Sequence, residues 1–223
     1  MQKVFSIAID GPAGAGKSTV AKAVAQALGA VYLDTGAMYR AMGLYMRDHD
    51  ISGAERIANA AGKPDVQVRF VGGAQRVSLD GVDVTDRLHT PEASLMASKV
   101  SAVPAVRERM VALQREIARG QSIVMDGRDI GTYVLPEATL KIYLTASCEV
   151  RAERRYRQLA AAGKEESYEK VLSEIVERDF NDAHREASPM RQADDAVRVD
   201  TSDMTEAQVV DAIVARAKAA IAA

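Results

Sequence analysis

Gly11-Pro12-Ala13-Gly14-Ala15-Gly16-Lys17-Ser18 decides how this chain folds. The stretch meets the spacing G-x-x-x-x-G-K-[ST]. It stands between a short apolar run, Val4 to Ile9, and a segment in which Val20, Val24 and Leu28 return at helical intervals with Ala21 and Ala25 beside them. Gly29 is placed to end that helix. A buried parallel strand, a glycine-rich turn and a helix N-terminus, in that order, make an anion cradle. Backbone N–H groups turn inward around a β-phosphate, the helix end adds partial positive charge, Lys17 reaches the β and γ oxygens, and Ser18 offers a hydroxyl to Mg²⁺. ATP with magnesium is therefore the expected donor, held by Gly11 to Ser18. Thr19 is the alternative to Ser18 for a metal or phosphate contact.

Outward from the loop, Val31 to Leu33, Ser122 to Met125, Leu140 to Leu144 and Ala196 to Val199 are further short apolar runs separated by helical patterns. With the first run they predict five strands of a parallel, doubly wound α/β sheet. Pro104 suits the first turn of a helix ending near Gly120, and Thr205 with Gln208 forms a capping box for a last helix carrying Val209, Val210, Ile213, Val214 and Ile221. One segment breaks the alternation. Val66, Val68 and Phe70 alternate, Gly72-Gly73 turns the chain, Val77 and Leu79 alternate again, and Asp80-Gly81 announces a hairpin before Val82 and Val84. This predicts a small antiparallel meander inserted in the α/β frame. The expected organisation is one domain, 1–223, with a core at 1–35, 100–148 and 184–223, an insertion at about 36–99 and a short helical lid at about 149–183.

Composition narrows the partners. At 223 residues and 48% apolar, the chain can bury one good core but not two full domains. Its 29 Lys and Arg against 31 Asp and Glu leave a net charge of -2, which provides no footprint for duplex nucleic acid or an anionic membrane, so an anionic ligand must be held by local basic clusters. The lone cysteine, Cys148, forms neither an intrachain disulfide nor a multi-cysteine zinc site. Met1-Gln2-Lys3 runs straight into the first strand without the pattern of a signal peptide, and no apolar stretch reaches spanning length, so a cytoplasmic protein is expected, as a monomer.

Asp126 follows the strand ending at Met125 and is read as a magnesium partner, direct or through water, with a turn at Asp126-Gly127 as the plainer alternative. His49, His89 and His184 lack ligand spacing. No N-K-x-D element of a guanine-reading switch is present. Arginines recur instead in motif-like settings: Arg40 after Asp34-Thr35-Gly36-Ala37-Met38-Tyr39, Arg128 in Asp126-Gly127-Arg128-Asp129, then Arg151, Arg154, Arg155, Arg157, Arg178 and Arg185. Two phosphorylated reactants meeting in one site need such charge, and a phosphate acceptor brings its own ionised nucleophile, so no catalytic base is required. The run from Arg151 to Arg157 reads either as a solvated helix face or as a lid. In the lid reading Arg151 and Arg155, one helical turn apart, face the nucleotide, and Gly163 provides a flexible end.

The motifs Ile9-Asp10-Gly11-Pro12, Asp34 to Arg40, Asp126-Gly127-Arg128-Asp129-Ile130-Gly131-Thr132, and Glu177-Arg178-Asp179 with Asp182 and Arg185 closely resemble those of bacterial cytidylate kinases, and the resemblance extends over nearly the whole chain. It implies that the meander lies in a monophosphate-binding insertion and that CMP, with dCMP second, is the acceptor of a phosphoryl group from ATP. It also implies that Arg40, Arg128 and Arg185 grip the acceptor phosphate, that Ser98, Arg107 and Asp129 read cytosine, that Arg178 and Asp182 hold the ribose, and that Thr35 and Tyr39 line the same pocket. Lys17, Arg128, Arg185 and the lid's Arg155 are the expected catalytic side chains. Cytosine's N4 donor and its N3 and O2 acceptors complement a carboxylate and a guanidinium, and uracil reverses two of these groups. Without the resemblance, Asp129 reads as a loop-ordering salt bridge, and Arg107 and Ser98 as ordinary helix surface. Adenylate kinases are expected to carry a proline where this chain has Asp129, and shikimate kinases an aspartate where it has Gly36. The alternatives are a UMP or AMP kinase, or a nucleotide-binding regulatory switch.

Overall fold

The apolar runs without polar alternation come together as one sheet, because a strand covered by helices on both faces has no wet side to accommodate. A computed structural model describes residues 4–222, so Met1, Gln2 and Lys3, counted above with the core, lie outside the described residues, as does Ala223. In chain order the elements are β1 (Ser6–Asp10), α1 (Lys17–Leu28), β2 (Val31–Asp34), α2 (Thr35–Asp48), α3 (Ala54–Ala60), β3 (Val66–Val71), β4 (Ala74–Leu79), β5 (Val82–Asp83), α4 (Pro91–Ser101), α5 (Pro104–Ala118), β6 (Ile123–Asp126), β7 (Leu140–Thr145), α6 (Cys148–Ala161), α7 (Tyr168–His184), β8 (Val197–Asp200) and α8 (Glu206–Ala222). The five expected parallel strands form one sheet in the order β2-β6-β1-β7-β8, and β3, β4 and β5 form the antiparallel meander.

Period-two alternation along β1 puts Ile7 and Ile9 on one face and Ala8 on the other. The first face packs with Val20 and Val24 of α1 and Val209 and Ile213 of α8; the second packs with Leu33, Met125, Met38 and Met42 of α2, and Val106 and Met110 of α5. Each fully buried aliphatic side chain here contributes about 1.5 to 3 kcal/mol. The second face extends without a break into Val66, Val77 and Leu79 of the small sheet, so the inserted residues share a core with the parallel sheet. Helix α4 crosses α2 so closely that a Cβ at Gly43 would stand 2.7 Å from the Cβ of Met96. Helices α6 and α7 have an apolar cluster of their own, Ala152, Leu159, Val171 and Ile175. The capping box forms as read: Thr205 N–H donates to Gln208 Oε1 at 2.9 Å and Gln208 N–H to Thr205 Oγ1 at 3.3 Å.

Register brings three carboxylates to the carboxyl edge of the sheet. Asp126 lies opposite Asp34 on one side and Ile9, the neighbour of Asp10, on the other. That edge is where open α/β sheets bind ligands. Among the described residues no helix is long and apolar enough to cross a membrane.

Candidate functional site

A cleft of 640 Å³ opens along this edge, lined by the loop from Ala13 to Thr19 on one side and by Tyr39, Arg40, Arg107, Arg128, Arg178 and Arg185 on the other. The loop takes its shape from its glycines. Gly11 has φ +142, and a Cβ there would stand 1.9 Å from the Leu144 carbonyl oxygen, so no side chain fits between the loop and β7. Lys17 opens α1 and is 6% exposed, with Nζ donating to the Pro12 carbonyl at 2.7 Å. Burial, and then the charge of Arg128, hold the Lys17 ammonium well below its ordinary pKa. A polyanion entering the cleft reverses that repulsion.

Next to Lys17, Ser18 Oγ donates to Asp126 Oδ2 at 2.8 Å and the Tyr32 hydroxyl donates to Oδ1 at 2.9 Å. Burial and the nearby Asp34 push the Asp126 carboxyl up to about 6. Hydroxyl and carboxylate oxygens suit Mg²⁺, and a buried carboxylate with a raised pKa gains from a cation beside it. Among the described residues no group of three or more His, Cys, Asp or Glu side chains could hold a metal by itself. A two-donor site of this kind therefore suits an ion that keeps waters and phosphate oxygens as its other ligands. Asp10 has a different role. Its oxygens accept N–H bonds from Ile130 at 2.8 Å and Gly131 at 2.7 Å, which ties the end of β1 to a single π-helical turn, Ile130–Val134, directly after Asp129. Burial outweighs those two bonds and raises Asp10 to about 6.

The far side of the cleft is a set of guanidinium–carboxylate pairs. Arg40 Nη2 lies 2.6 Å from Asp34 Oδ2, Arg128 Nε lies 2.8 Å from Asp182 Oδ2, and Arg107 pairs with Asp129 where both are almost fully buried. Arg185 Nη2 stands 3.4 Å from the other oxygen of Asp129, an ion pair without hydrogen-bond geometry, while its Nε donates to the Ser188 carbonyl at 2.6 Å. The Arg107 guanidinium also lies 5.5 Å from the Tyr39 ring centroid, and burial pushes the Tyr39 hydroxyl up to about 12. Burial, then Arg128, bring Arg178 down to about 10. Four guanidinium nitrogens here are buried without a hydrogen-bond acceptor: Arg40 Nε, Arg107 Nε, Arg178 Nε and Arg185 Nη2. A buried donor without a partner costs about 1 to 3 kcal/mol, and the five arginines on this side of the cleft give it the charge to hold an anion with many oxygens.

Most of the residues expected from the sequence line this cleft. Ala13 to Thr19, Thr35, Tyr39, Arg40, Ser98, Arg107, Asp126, Arg128, Asp129, Arg155, Arg178, Asp182 and Arg185 all do so, with Gly11 and Pro12 immediately behind the loop. Arg151 does not. The expectation that Arg151 and Arg155 share a nucleotide-facing stripe is corrected: Arg151 is 3% exposed, and its donors go to the carbonyls of Ala146 and Ala13, to Cys148 Sγ and to Asp179 at 2.6 Å. Proximity to Gly14 pulls it inward, because the first turn of α6 packs against the loop itself. Arg154 takes the cleft-facing place beside Arg155, bonded to Thr201 Oγ1 at 3.0 Å and to the Thr201 carbonyl at 2.7 Å. Thr201, Met204, Glu206 and Val209 line the same end and were not anticipated. The segment after the last parallel strand, carrying the Thr205 capping box at the ligand-binding edge, was a signal for them. Ser101 and Gln158 were missed too; neither stands in a motif.

The profile of the family described as cytidylate kinase matches residues 7–219. The chain is 47% identical over 213 residues, 95% of its own length and 94% of the relative's, to a cytidylate kinase of Caldicellulosiruptor saccharolyticus. It is 52% identical over 208 residues, 92% of its length and 91% of the relative's, to a cytidylate kinase of Mycolicibacterium paratuberculosis. Among solved structures, an uncharacterised protein of Eubacterium ventriosum superposes over 97% of this chain and 99% of its own with a TM-score of 0.53 at 14% identity, which bears on the fold alone.

Proposed function

The chain belongs to the cytidylate kinase family, and on that premise we propose that it transfers the γ-phosphoryl group of ATP to CMP, and second to dCMP, giving ADP and CDP or dCDP. The observation that carries this reading is the set of arginines, Arg40, Arg107, Arg128, Arg178 and Arg185, that line the cleft across from the glycine loop. Two polyanions can approach only where fixed positive charge offsets their repulsion, and a pre-placed guanidinium needs no reorganisation when charge shifts in the transition state.

In this reading the loop Ala13–Thr19 holds the donor phosphates and Lys17 moves from the Pro12 carbonyl to the β and γ oxygens. Ser18 and Asp126 would hold a magnesium ion, which would offset the charge of the donor phosphates. Arg40, Arg128 and Arg185 grip the acceptor phosphate, whose ionised oxygen attacks in line, and Arg155 comes in from the lid. Arg178 and Asp182 hold the ribose. Asp129 accepts from cytosine N4 while Arg107 donates to N3 or O2, with Ser98, Thr35 and Tyr39 around them. The Asp129 carboxylate, paired with Arg107 and faced by Arg185, sets oxygen against oxygen with uracil, which presents an oxygen at that place, and so disfavours it. We further read the enzyme as a cytosolic monomer.

The test is ADP release from ATP with CMP, dCMP, UMP and AMP supplied separately, and with no acceptor. Turnover is expected to be highest with CMP, next with dCMP and low without acceptor; AMP equal to or better than CMP rejects the cytosine reading, and rapid hydrolysis without acceptor rejects transfer gated by closure.

A further inference from the structure

Gln75 stands on β4 of the inserted sheet, far in sequence from any site motif, yet its amide clasps the backbone at the end of β2. Its Oε1 accepts from Asp34 N–H at 2.7 Å and its Nε2 donates to the Asp34 carbonyl at 3.2 Å. Among the described residues these are the side-chain hydrogen bonds that join the two sheets, beside the apolar core they share. Asp34 in turn caps α2, accepting from Ala37 N–H at 3.0 Å, and its other oxygen holds Arg40 at 2.6 Å. The turn is tight. A Cβ at Gly36 would stand 3.0 Å from both Arg40 Nη1 and Asp34 Oδ1, so a side chain at residue 36 would crowd the Arg40–Asp34 pair. Arg40 lines the cleft with its Nε buried and unbonded.

We propose that Gln75 is a positioning residue for the acceptor phosphate: the clasp fixes Asp34, Asp34 fixes Arg40, and the inserted sheet thereby sets how tightly the phosphate end of the acceptor is held. The proposal rests on the CMP kinase reading above. A glutamine amide is the right group because it matches a backbone donor and acceptor together, as a neighbouring strand would, and neither bond survives in an apolar side chain of the same length.

The test replaces Gln75 by methionine, Gln75→Met, after circular dichroism confirms the fold. It measures KM for CMP, KM for ATP, and the inhibition constant of cytidine, which has the base and ribose but no phosphate. With one or two hydrogen bonds lost from the clasp, KM for CMP is expected to rise about tenfold, while KM for ATP and the cytidine constant stay put. In an Arg40→Ala background the same substitution should add little, since its effect passes through Arg40. An unchanged KM for CMP, a parallel rise in the cytidine constant, or full additivity with Arg40→Ala each overturns the proposal. If Gln75→Met does not fold, Gln75→Glu is read by the same criteria: it keeps the acceptor for Asp34 N–H but turns an oxygen against the Asp34 carbonyl. Wild-type protein inert toward CMP would sink the functional reading; an active wild type with an indifferent Gln75→Met sinks this inference alone.

Discussion

The two sides of the cleft are made in opposite ways. In the proposed reading the donor side is one contiguous loop between β1 and α1, which offers backbone N–H groups and a single lysine. On the acceptor side the groups come from α2, α4, α5, the segment after β6, and α7 with its following loop; they are side chains, and four of the five arginines pair with a carboxylate. The difference reflects what each side has to recognise. A triphosphate chain is repetitive, so a nest of amides fitted to one phosphate spacing suffices. A nucleoside monophosphate has three unlike parts, and a selective pocket needs unlike groups that only tertiary folding can bring together. The donor side should therefore fail as a unit when its lysine is lost, whereas the acceptor side should fail by parts.

Lys17→Ala gives the sharpest break. In the proposed reading its ammonium meets the developing phosphoryl charge, so kcat should fall by about a thousandfold or more, while CMP binding measured by calorimetry without ATP changes little. An equal loss in CMP affinity would blur the two sides into one. Arg185→Ala comes next. Its guanidinium faces the acceptor pocket and one of its nitrogens has no acceptor, so kcat/KM for CMP should drop about a hundredfold with KM for ATP nearly constant. Asp129→Ala is smaller and more selective. Losing one base contact of about 1 to 3 kcal/mol should narrow the CMP to UMP ratio by about tenfold or more, and an unchanged ratio would return Asp129 to a loop-ordering role.

The smallest effect is on stability. Asp126 and Asp10 both hold protons more tightly in the folded chain than in the unfolded one, each with its pKa raised to about 6 by burial. Their contribution is complete at low pH and is lost as pH rises through about 6, the reverse of an ordinary ion-paired aspartate. Asp126→Asn removes that penalty at the proposed metal site. In the absence of nucleotide it should raise the melting temperature at pH 7 by a few degrees, with less gain at pH 5, and it should weaken the stabilisation obtained from magnesium with ATP. A variant less stable than wild type at pH 7 would show that the Ser18 and Tyr32 hydrogen bonds, and not the carboxylate's burial, dominate there.

Much of the frame was legible because its signals are local. The loop spacing, the five apolar runs and the Asp80-Gly81 hairpin each depend on neighbours within a few residues, and the strands fall within about two residues of their predicted ends. The acceptor residues were named through resemblance, since nothing in the local pattern around Ser98 or Arg107 marks them off from helix surface. Arg107 is instead 2% exposed, locked to Asp129 by a contact between α5 and the segment after β6. Helical spacing failed at Arg151 and Arg155. Periodicity assigns both to one face but cannot tell what that face meets, and the first turn of α6 meets the glycine loop while the next turn meets the cleft.

By itself the amino-acid order determined the parallel sheet, the phosphate loop and the meander, since periodicity and glycine geometry act over a handful of bonds. Tertiary structure alone decided which arginines point into the cleft, which one is buried as a strut beneath the loop, and how Gln75 reaches Asp34. Those outcomes depend on burial and charge pairing between segments distant in sequence, where desolvation makes an unpartnered guanidinium costly and a paired one directional.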